Sequence, residues 1–440
     1  MLRPRMSGGH TPGTLRRELG VGGATLMGLG SILGTGVFVS IGIAAGITGP
    51  SVVLAVALAA VVATLNGLNS AQLAAAHPVS GGTYEYGYRF LGPRLGFTAG
   101  WVFLLAKSAS AATAALGFAG YVMVLLGLDR GRGLLILLGL AALVALTGLV
   151  LAGLRNSNVA NAVVVAVAVG SLLVFVAFSA PQWDAGRFGG FFAAGGPGLL
   201  EAAALMFVAY TGYGRIATMG EEVHHPRVTI PRAIITTLVV TMVLYTAVAG
   251  AGVAAAGADA MAAATEERAA PLEVIARGFA TPGIGTVVAV GAVAAMLGVL
   301  LNLILGLSRV LLAMGRRRDV PGFFAHIDRS GRTPTWAVLG VAVIVAALVA
   351  VGDVRTTWSF SAFTVLLYYS ITNLAALRIS DDDRLFPRSV AWAGLAGCLG
   401  LAFWVDPGVW IAGLALVAAG LLWQEVARRL RSRSEPASGS

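Results

Sequence analysis

Twelve long apolar runs, separated by short loops, are the feature of this chain that most limits how it can fold. A helix needs about 20 apolar residues to cross the hydrocarbon core of a bilayer. Within that core every backbone polar group needs a partner inside the protein, and an α-helix provides one for each. We therefore predict an all-α integral membrane protein. The predicted spans, numbered 1 to 12, cover residues 22–46, 50–75, 94–127, 134–153, 159–180, 198–222, 233–256, 284–314, 335–351, 355–377, 388–405 and 408–426.

The distribution of charge supports this interpretation and orients the spans. Charged residues make up only 11% of the chain, against about 25% in soluble domains. The formal net charge is +10, but the arginines lie mainly in loops that alternate to one face. This positive-inside pattern predicts a multi-pass protein of the cell membrane with both termini in the cytoplasm. The lipid bilayer is then the partner of most of the surface, and nucleic acid is not expected.

The spans divide into two blocks of five followed by a pair. We expect a cytoplasmic N-terminal tail at residues 1–21, a first five-helix repeat at 22–180 and a second at 181–378. Spans 11 and 12 at 379–426 and a cytoplasmic C-terminal tail at 427–440 complete the chain. Because five is odd, the second block enters the membrane from the opposite side, which predicts an inverted repeat.

Spans 1 and 6, which open the two blocks, both contain glycines near their middle. Four glycines fall between Gly28 and Gly36, and the last two of them flank Thr35. Gly212 and Gly214 lie at the matching depth of span 6. Each glycine costs a helix about 1 kcal/mol relative to alanine, so both spans are predicted to unwind there. Glycines at the packing faces of unbroken helices are the alternative interpretation.

An unwound segment exposes backbone amides at the start of one half-helix and carbonyls at the end of the other. Free amides and the positive end of the helix dipole suit a carboxylate, while free carbonyls suit an ammonium group. Irregular backbone at this depth is tolerated only where it is buried or lines a cavity. The two breaks together therefore predict a site for a zwitterion, and matched breaks of this kind are typical of transporters.

Lys107 is the only lysine of the chain, since every other basic residue is arginine. It lies near the middle of span 3, too deep for its ammonium group to reach the membrane surface. A buried lysine can lose its proton, whereas arginine keeps its charge. We predict that Lys107 couples transport to protons or contacts the substrate, and a purely structural lysine is the alternative.

Several segments resemble the amino acid–polyamine–organocation superfamily of permeases. They run in the expected order through most of the first ten spans, and the basic loop after residues 309–314 is a weaker match. The matching segments are Gly30–Phe38, Pro78–Tyr86, Gly96–Trp101, Phe207–Tyr213, Gly220–Arg227 and Ile230–Ile234.

This resemblance implies a leucine-transporter-like fold that binds substrate between spans 1, 3, 6, 8 and 10. The amides of Thr35 and Gly36, beside Gly34, would hold the carboxylate of an amino acid. The expected ligands of its amine are the carbonyls of Ile32, Val208, Ala209 and Thr211. Residues that follow the span-6 break, or end its first half, are assigned to a gate or vestibule: Tyr210, Tyr213 and Arg215.

The chain also departs from the pattern of that superfamily. Some proton-coupled members carry a lysine in span 5, where this chain has no charged residue and has Val167 near the expected position. Gly214 replaces an acidic residue that relatives often have, and His225 replaces an asparagine. The absence of a charged residue in span 5 bears on ion coupling, and Gly214 bears on the preferred substrate side chain.

We therefore predict a secondary transporter that moves amino acids by alternating access, coupled to protons or to exchange rather than to sodium. No catalytic constellation, cofactor motif or metal-ligand spacing is found, so an enzyme is not expected. A polyamine or organic-cation permease is one rival, although no mid-membrane acid is present to hold a polycation. A non-transporting sensor or a channel with the same fold is another.

Overall fold

The computed structural model describes residues 19–79, 81–128, 131–153, 158–219, 223–328 and 333–434. Most of the predicted tails, and the acidic pair Glu221 and Glu222, lie outside these ranges. Within them the regular structure is helical, apart from one isolated bridge between Leu19 and Val223. The all-α prediction is confirmed for this part of the chain.

Each predicted apolar run lies mainly in helix. The helices of seven or more residues are α1 Val21–Ile32, α2 Ile41–Thr48, α3 Val52–Ala76, α4 Pro93–Leu125, α5 Arg132–Leu151, α6 Asn158–Ser179, α7 Gly195–Tyr210, α8 Pro226–Ala256, α9 Ala258–Arg268, α10 Pro271–Arg277, α11 Ile284–Arg316, α12 Thr335–Val351, α13 Val354–Leu377, α14 Arg388–Ala402 and α15 Pro407–Ser434.

Eight helical segments in the described ranges are long and apolar enough to cross a membrane. This number is lower than the twelve predicted runs for structural reasons. The segment Gly36–Ala76 joins the end of span 1 to span 2, and breaks divide spans 1 and 6. Spans 9 and 11 form α12 and α14, which have only 17 and 15 residues.

Helices α4 and α13 form the centre of the bundle. The most apolar windows of α4 and α13 are 83% and 78% buried, whereas that of α15 is 17% buried. The outer helices expose large apolar side chains such as Val144 and Leu422, which suits contact with lipid rather than water. Residues from the middle of α4 therefore face other helices, as predicted for Lys107.

A buried polar cluster fastens α14 to α3 and α13. The Asn69 amide donates to the Asn373 side-chain oxygen at 2.7 Å, and Asn373 donates to Asn66 at 2.8 Å. The thiol of Cys398, fully buried on α14, donates to the same Asn66 oxygen at 3.2 Å. Because each member has partners, the cluster stabilises the packing of these helices.

The connection between α8 and α11 contains the two short helices α9 and α10. Helix α10 packs into the protein, because Leu272 is fully buried and Glu273 is 2% exposed. The preceding helix α9 packs against α2.

Candidate functional site

The two predicted breaks are present and touch each other. Helix α1 ends at Ile32, and a π-helical turn, Gly36–Ser40, precedes α2. Helix α7 ends at Tyr210 and is followed by a 3-10 turn and a single α-helical turn. A Cβ atom on Gly36 would lie 2.4 Å from the Ala209 Cβ, and one on Gly212 would lie 2.2 Å from the Ser31 carbonyl oxygen. Only glycine permits this approach.

A cavity of about 40 Å³ lies where the breaks meet. Its walls come from α1, α4, α7, α11 and α13 and from the turns that follow α1 and α7, which are the elements of spans 1, 3, 6, 8 and 10. Small-molecule sites usually measure 300 Å³ or more, so this cavity has to widen before it can hold an amino acid. The residues that line it are Ser31, Ile32, Thr35, Gly36, Lys107, Ser110, Val208, Ala209, Thr211, Gly212, Val299, Leu303 and Trp358.

Seven of the eleven predicted site residues therefore line one cavity. Gly34 does not, although it belongs to the same break. The structure adds Ser31, Ser110 and Gly212, together with Val299, Leu303 and Trp358 from α11 and α13. Ser110 lies one turn after Lys107 on α4 and could have been found from that spacing. The apolar wall residues carry no comparable signal in the sequence.

The break after α1 presents donors without partners. The amides of Gly34 and Thr35 make no backbone hydrogen bond with the described residues. The Thr35 hydroxyl is buried and has no hydrogen-bond partner among them either. Buried polar groups in proteins are nearly always paired. These unpaired donors at a cavity wall suit an anionic group such as a carboxylate.

The carbonyls predicted to hold an amine already accept hydrogen bonds from the protein. The Tyr245 hydroxyl donates to the Ile32 carbonyl at 2.9 Å, and the Tyr369 hydroxyl donates to the Thr211 carbonyl at 3.2 Å. The Thr211 hydroxyl donates to the Val208 carbonyl at 2.8 Å. A carbonyl oxygen has two lone pairs, so an ammonium group would share these acceptors or displace their donors.

Lys107 is the one charged side chain among the described residues that line the cavity. It is residue 15 of the 33 in α4. Its ammonium group donates to the Thr211 hydroxyl at 2.8 Å. The prediction of an inward-facing lysine is confirmed, and it donates to a neutral hydroxyl rather than to a carboxylate.

The three predicted gate residues do not line the cavity. Tyr210 points away from it, because its hydroxyl donates to the Val56 carbonyl at 3.2 Å. Tyr213 is fully buried, with its ring centroid 5.5 Å from that of Tyr369. Arg215 lies in the single turn Gly214–Ala217 beyond the break. Their assignment to a gate stays a prediction.

A larger cavity of about 970 Å³ opens at the C-terminal end of α4. It is called the vestibule here. Residues of α2, α4, α9 and the start of α13 line it, and they include both acidic and basic side chains. Along α4 the central cavity is reached at Lys107 and Ser110, and the vestibule at Gly120 and Met123.

A thin packed layer separates the vestibule from the central cavity. The π-helical turn that contains Phe38 lies between Gly36, which lines the cavity, and Gly42, which lines the vestibule. The Tyr121 hydroxyl on α4 donates to the Phe38 carbonyl at 2.6 Å. The two rings also meet edge to face, with centroids 6.2 Å apart.

The N-terminal end of α4 is closed by a polar cluster, which is called the latch here. Asp319 is 7% exposed and accepts hydrogen bonds from the Tyr84 hydroxyl at 2.7 Å and the Tyr88 hydroxyl at 2.6 Å. The Arg317 guanidinium lies over both tyrosine rings and pairs with Glu85. This cluster joins the short helical turns before α4, Thr83–Tyr86 and Gly87–Leu91, to the segment after α11.

Burial, together with the Asp319 carboxylate, raises the pKa of both Tyr84 and Tyr88 above the ordinary value for tyrosine. A tyrosine whose pKa is raised on folding contributes stability below its unfolded pKa, about 10, and that stability is lost as the pH rises further. Both hydroxyls therefore remain protonated donors at physiological pH.

Comparisons with known proteins agree with this geometry. The sequence profile described as amino acid permease matches residues 23–427. An uncharacterized transporter of Mycobacterium tuberculosis is 40% identical over 96% of this chain and 94% of its own length. A branched-chain amino acid permease of Bacillus subtilis is 28% identical over 88% and 86%, and a methylthioribose transporter of the same species is 29% identical over 80% and 80%.

These relatives are transporters, and the profile spans nearly all of the described helices. Both the apolar helices and the relatives indicate a multi-pass membrane protein. The chain belongs to the amino acid permease family, within the superfamily that its sequence motifs resemble.

Proposed function

We propose that this permease binds an amino acid at the central cavity and carries it across the plasma membrane by alternating access. The observation that carries the proposal is the set of unpaired donors at Thr35, which lines a cavity shared with the carbonyl end of α7, and at its neighbour Gly34. Amides suit a carboxylate and carbonyls suit an amine, so the two breaks together suit the backbone of an amino acid.

The architecture proposed for this cycle is two inverted five-helix repeats, at residues 22–180 and 181–378, with two further helices at 379–426. Breaks at the first helix of each repeat support it. Inverted repeats allow one repeat to rock against the other around a site at mid-membrane. Cytoplasmic tails at both ends follow from the loop charges.

The transport is proposed to be coupled to protons or to exchange, with Lys107 as the coupling residue. Its position at the cavity supports this role, since a lysine can change its charge during a transport cycle whereas arginine cannot. Uptake that depends on pH in the wild type and no longer does so in Lys107→Ala is the expected result. Sodium-dependent uptake by the wild type would refute this part of the proposal.

Binding is tested by thermal shift of the purified protein against the twenty amino acids, each at two pH values. We expect a stabilising amino acid whose effect disappears in Gly36→Trp, because a side chain there collides with Ala209. Gly170→Trp is the matched control, since nothing lies within 4 Å of a Cβ at Gly170. Counterflow in proteoliposomes then separates a carrier from a sensor or channel.

An organic-cation permease is the second candidate function. It is less well supported, because no aspartate or glutamate is found among the described residues that line the cavity. A thermal shift with polyamines and with no amino acid would favour it over amino acid transport. The relatives include a methylthioribose transporter, so a neutral sugar thioether belongs in the same screen.

A further inference from the structure

The central cavity has an unbalanced charge. Lys107 is the one ionisable side chain among the thirteen described residues around it. Its ammonium group donates to the neutral Thr211 hydroxyl. Charged groups at this depth in a membrane normally pair with an opposite charge or line a watery path. The described residues that line the cavity include no carboxylate, so they supply no counter-charge for Lys107.

Lys107 also stands where a substrate amine is expected. It binds Thr211, whose hydroxyl donates to the Val208 carbonyl at the end of α7. The C-terminal end of a helix carries partial negative charge and stabilises a cation. The protein thus supplies its own ammonium group at this end of the cavity. A zwitterionic substrate would place a second ammonium group beside the first, with no further carboxylate to balance the two.

A second carboxylate on the substrate resolves both problems. One carboxylate would bind the free amides after α1, and the other would accept a hydrogen bond from Lys107. The Ser110 hydroxyl lies one turn along α4 and is paired with the Ser361 hydroxyl at 2.7 Å. Because a pair of hydroxyls shares one hydrogen bond, one proton is left over, and Ser110 can donate it to the same carboxylate.

We infer that the substrates are acidic amino acids, selected by Lys107. The inference rests on the proposed function and narrows it. A protonated Lys107 and a substrate of net charge −1 form a neutral unit, which is the least costly charge state for a buried site. Cationic amino acids and polyamines are excluded by like-charge repulsion.

The test compares ligands of equal shape and different charge on the purified full-length protein. Isothermal titration with L-glutamate and L-glutamine is expected to show glutamate binding at least about tenfold more tightly, and L-arginine not at all. In Lys107→Gln the preference should disappear through weaker glutamate binding. Arg94→Gln removes one positive charge from an exposed residue of the same helix and should leave the preference intact.

The outcomes separate the two proposals. Glutamine or leucine binding as tightly as glutamate to the wild type would overturn the inference and leave amino acid transport standing. Unchanged glutamate binding in Lys107→Gln would also overturn it. The comparison of ligands on the wild type needs no variant, so it decides the question even if Lys107→Gln does not fold. Binding of no amino acid of any charge would instead refute the proposed function.

Discussion

The two ends of α4 are packed in different ways. Its N-terminal end meets the latch, in which Tyr84, Tyr88, Asp319, Arg317 and Glu85 form a continuous set of contacts. Its C-terminal end borders the vestibule of about 970 Å³. The central cavity lies between them, at Lys107. One end of α4 is therefore held by several side-chain contacts, whereas at the other end the turn that contains Phe38 lies between the cavity and the vestibule.

In the proposed alternating-access cycle, this difference indicates which contacts would break at each step. Opening toward the vestibule would break the Tyr121–Phe38 hydrogen bond. Opening at the other end requires the ion pair, both tyrosine hydrogen bonds and the Arg317–ring contacts to separate together. Neither end can be too stable, because an alternating-access carrier has to populate both conformations.

The largest expected effect comes from Asp319→Ala, which removes the acceptor of two tyrosine hydroxyls. We expect the free energy of unfolding to fall by about 2–4 kcal/mol, because both donors are left unpaired. The control is Asp353→Ala at the vestibule end, where Asp353 caps α13 by accepting from the Thr356 amide at 2.7 Å. Loss of such a cap costs about 1 kcal/mol.

Thermal unfolding of the two variants in detergent measures this contrast. Trp423 donates to the Asp319 carbonyl at 2.9 Å, so tryptophan fluorescence also reports on the latch. Equal destabilisation by the two substitutions would contradict the view that the latch end is the more firmly closed.

The next largest effect is expected at the central cavity, which lies between the two ends of α4. Thr35→Val removes an unpaired hydroxyl of the cavity and should weaken substrate binding about tenfold without lowering stability, because no hydrogen bond in the empty site is lost. Thr147 on α5 also has a buried hydroxyl without a partner among the described residues, but it does not line the cavity. Isothermal titration of both variants with substrate measures the change in binding. An equal loss of binding in Thr147→Val would contradict the assignment of Thr35 to the binding site.

A smaller effect is expected for Tyr121→Phe, which deletes the hydrogen bond to the Phe38 carbonyl. A buried hydrogen bond contributes about 1 kcal/mol, so the layer beneath the vestibule should open more often. Hydrogen–deuterium exchange is expected to speed up in peptides covering residues 37–41 and to stay unchanged in peptides covering residues 83–91. Faster exchange in both regions would mean that the two ends are not independent.

The smallest effect is the pH dependence carried by Glu273 on α10, beside the vestibule. Burial raises the pKa of Glu273, although Arg277 opposes the shift. The folded protein therefore holds the proton of Glu273 more tightly than the unfolded chain does. The resulting contribution to stability is lost as the pH rises from the ordinary pKa of glutamate through the pKa of Glu273 in the folded protein. Glu273→Gln cannot ionise, so its melting temperature should fall less than that of the wild type between pH 4 and pH 7. An identical slope would show that Glu273 does not titrate in this range.

Much of the central site follows from local sequence. The glycines from Gly28 to Gly36 and at Gly212 weaken the helix wherever they occur, so the positions of the breaks can be predicted without knowing the fold. The length and apolar character of each run predict a helix in the same way. The burial of Lys107 follows from its depth in span 3. These features depend on the adjacent residues in the sequence or on the surrounding lipid bilayer.

The tertiary structure alone decided which side chains meet across the bundle. Tyr245 and Tyr369 donate hydrogen bonds to the carbonyls at the breaks from helices far away in sequence. The apolar residues of α11 that line the cavity resemble any other lipid-facing helix surface. Tyr210 is turned toward Val56 instead of the cavity.

The latch joins residues more than 200 positions apart. Such contacts depend on the rotation and crossing of packed helices, and helix packing admits several angles for the same apolar pattern. The sequence therefore determined where the helices lie and break, and only their packing decided which groups surround the cavity.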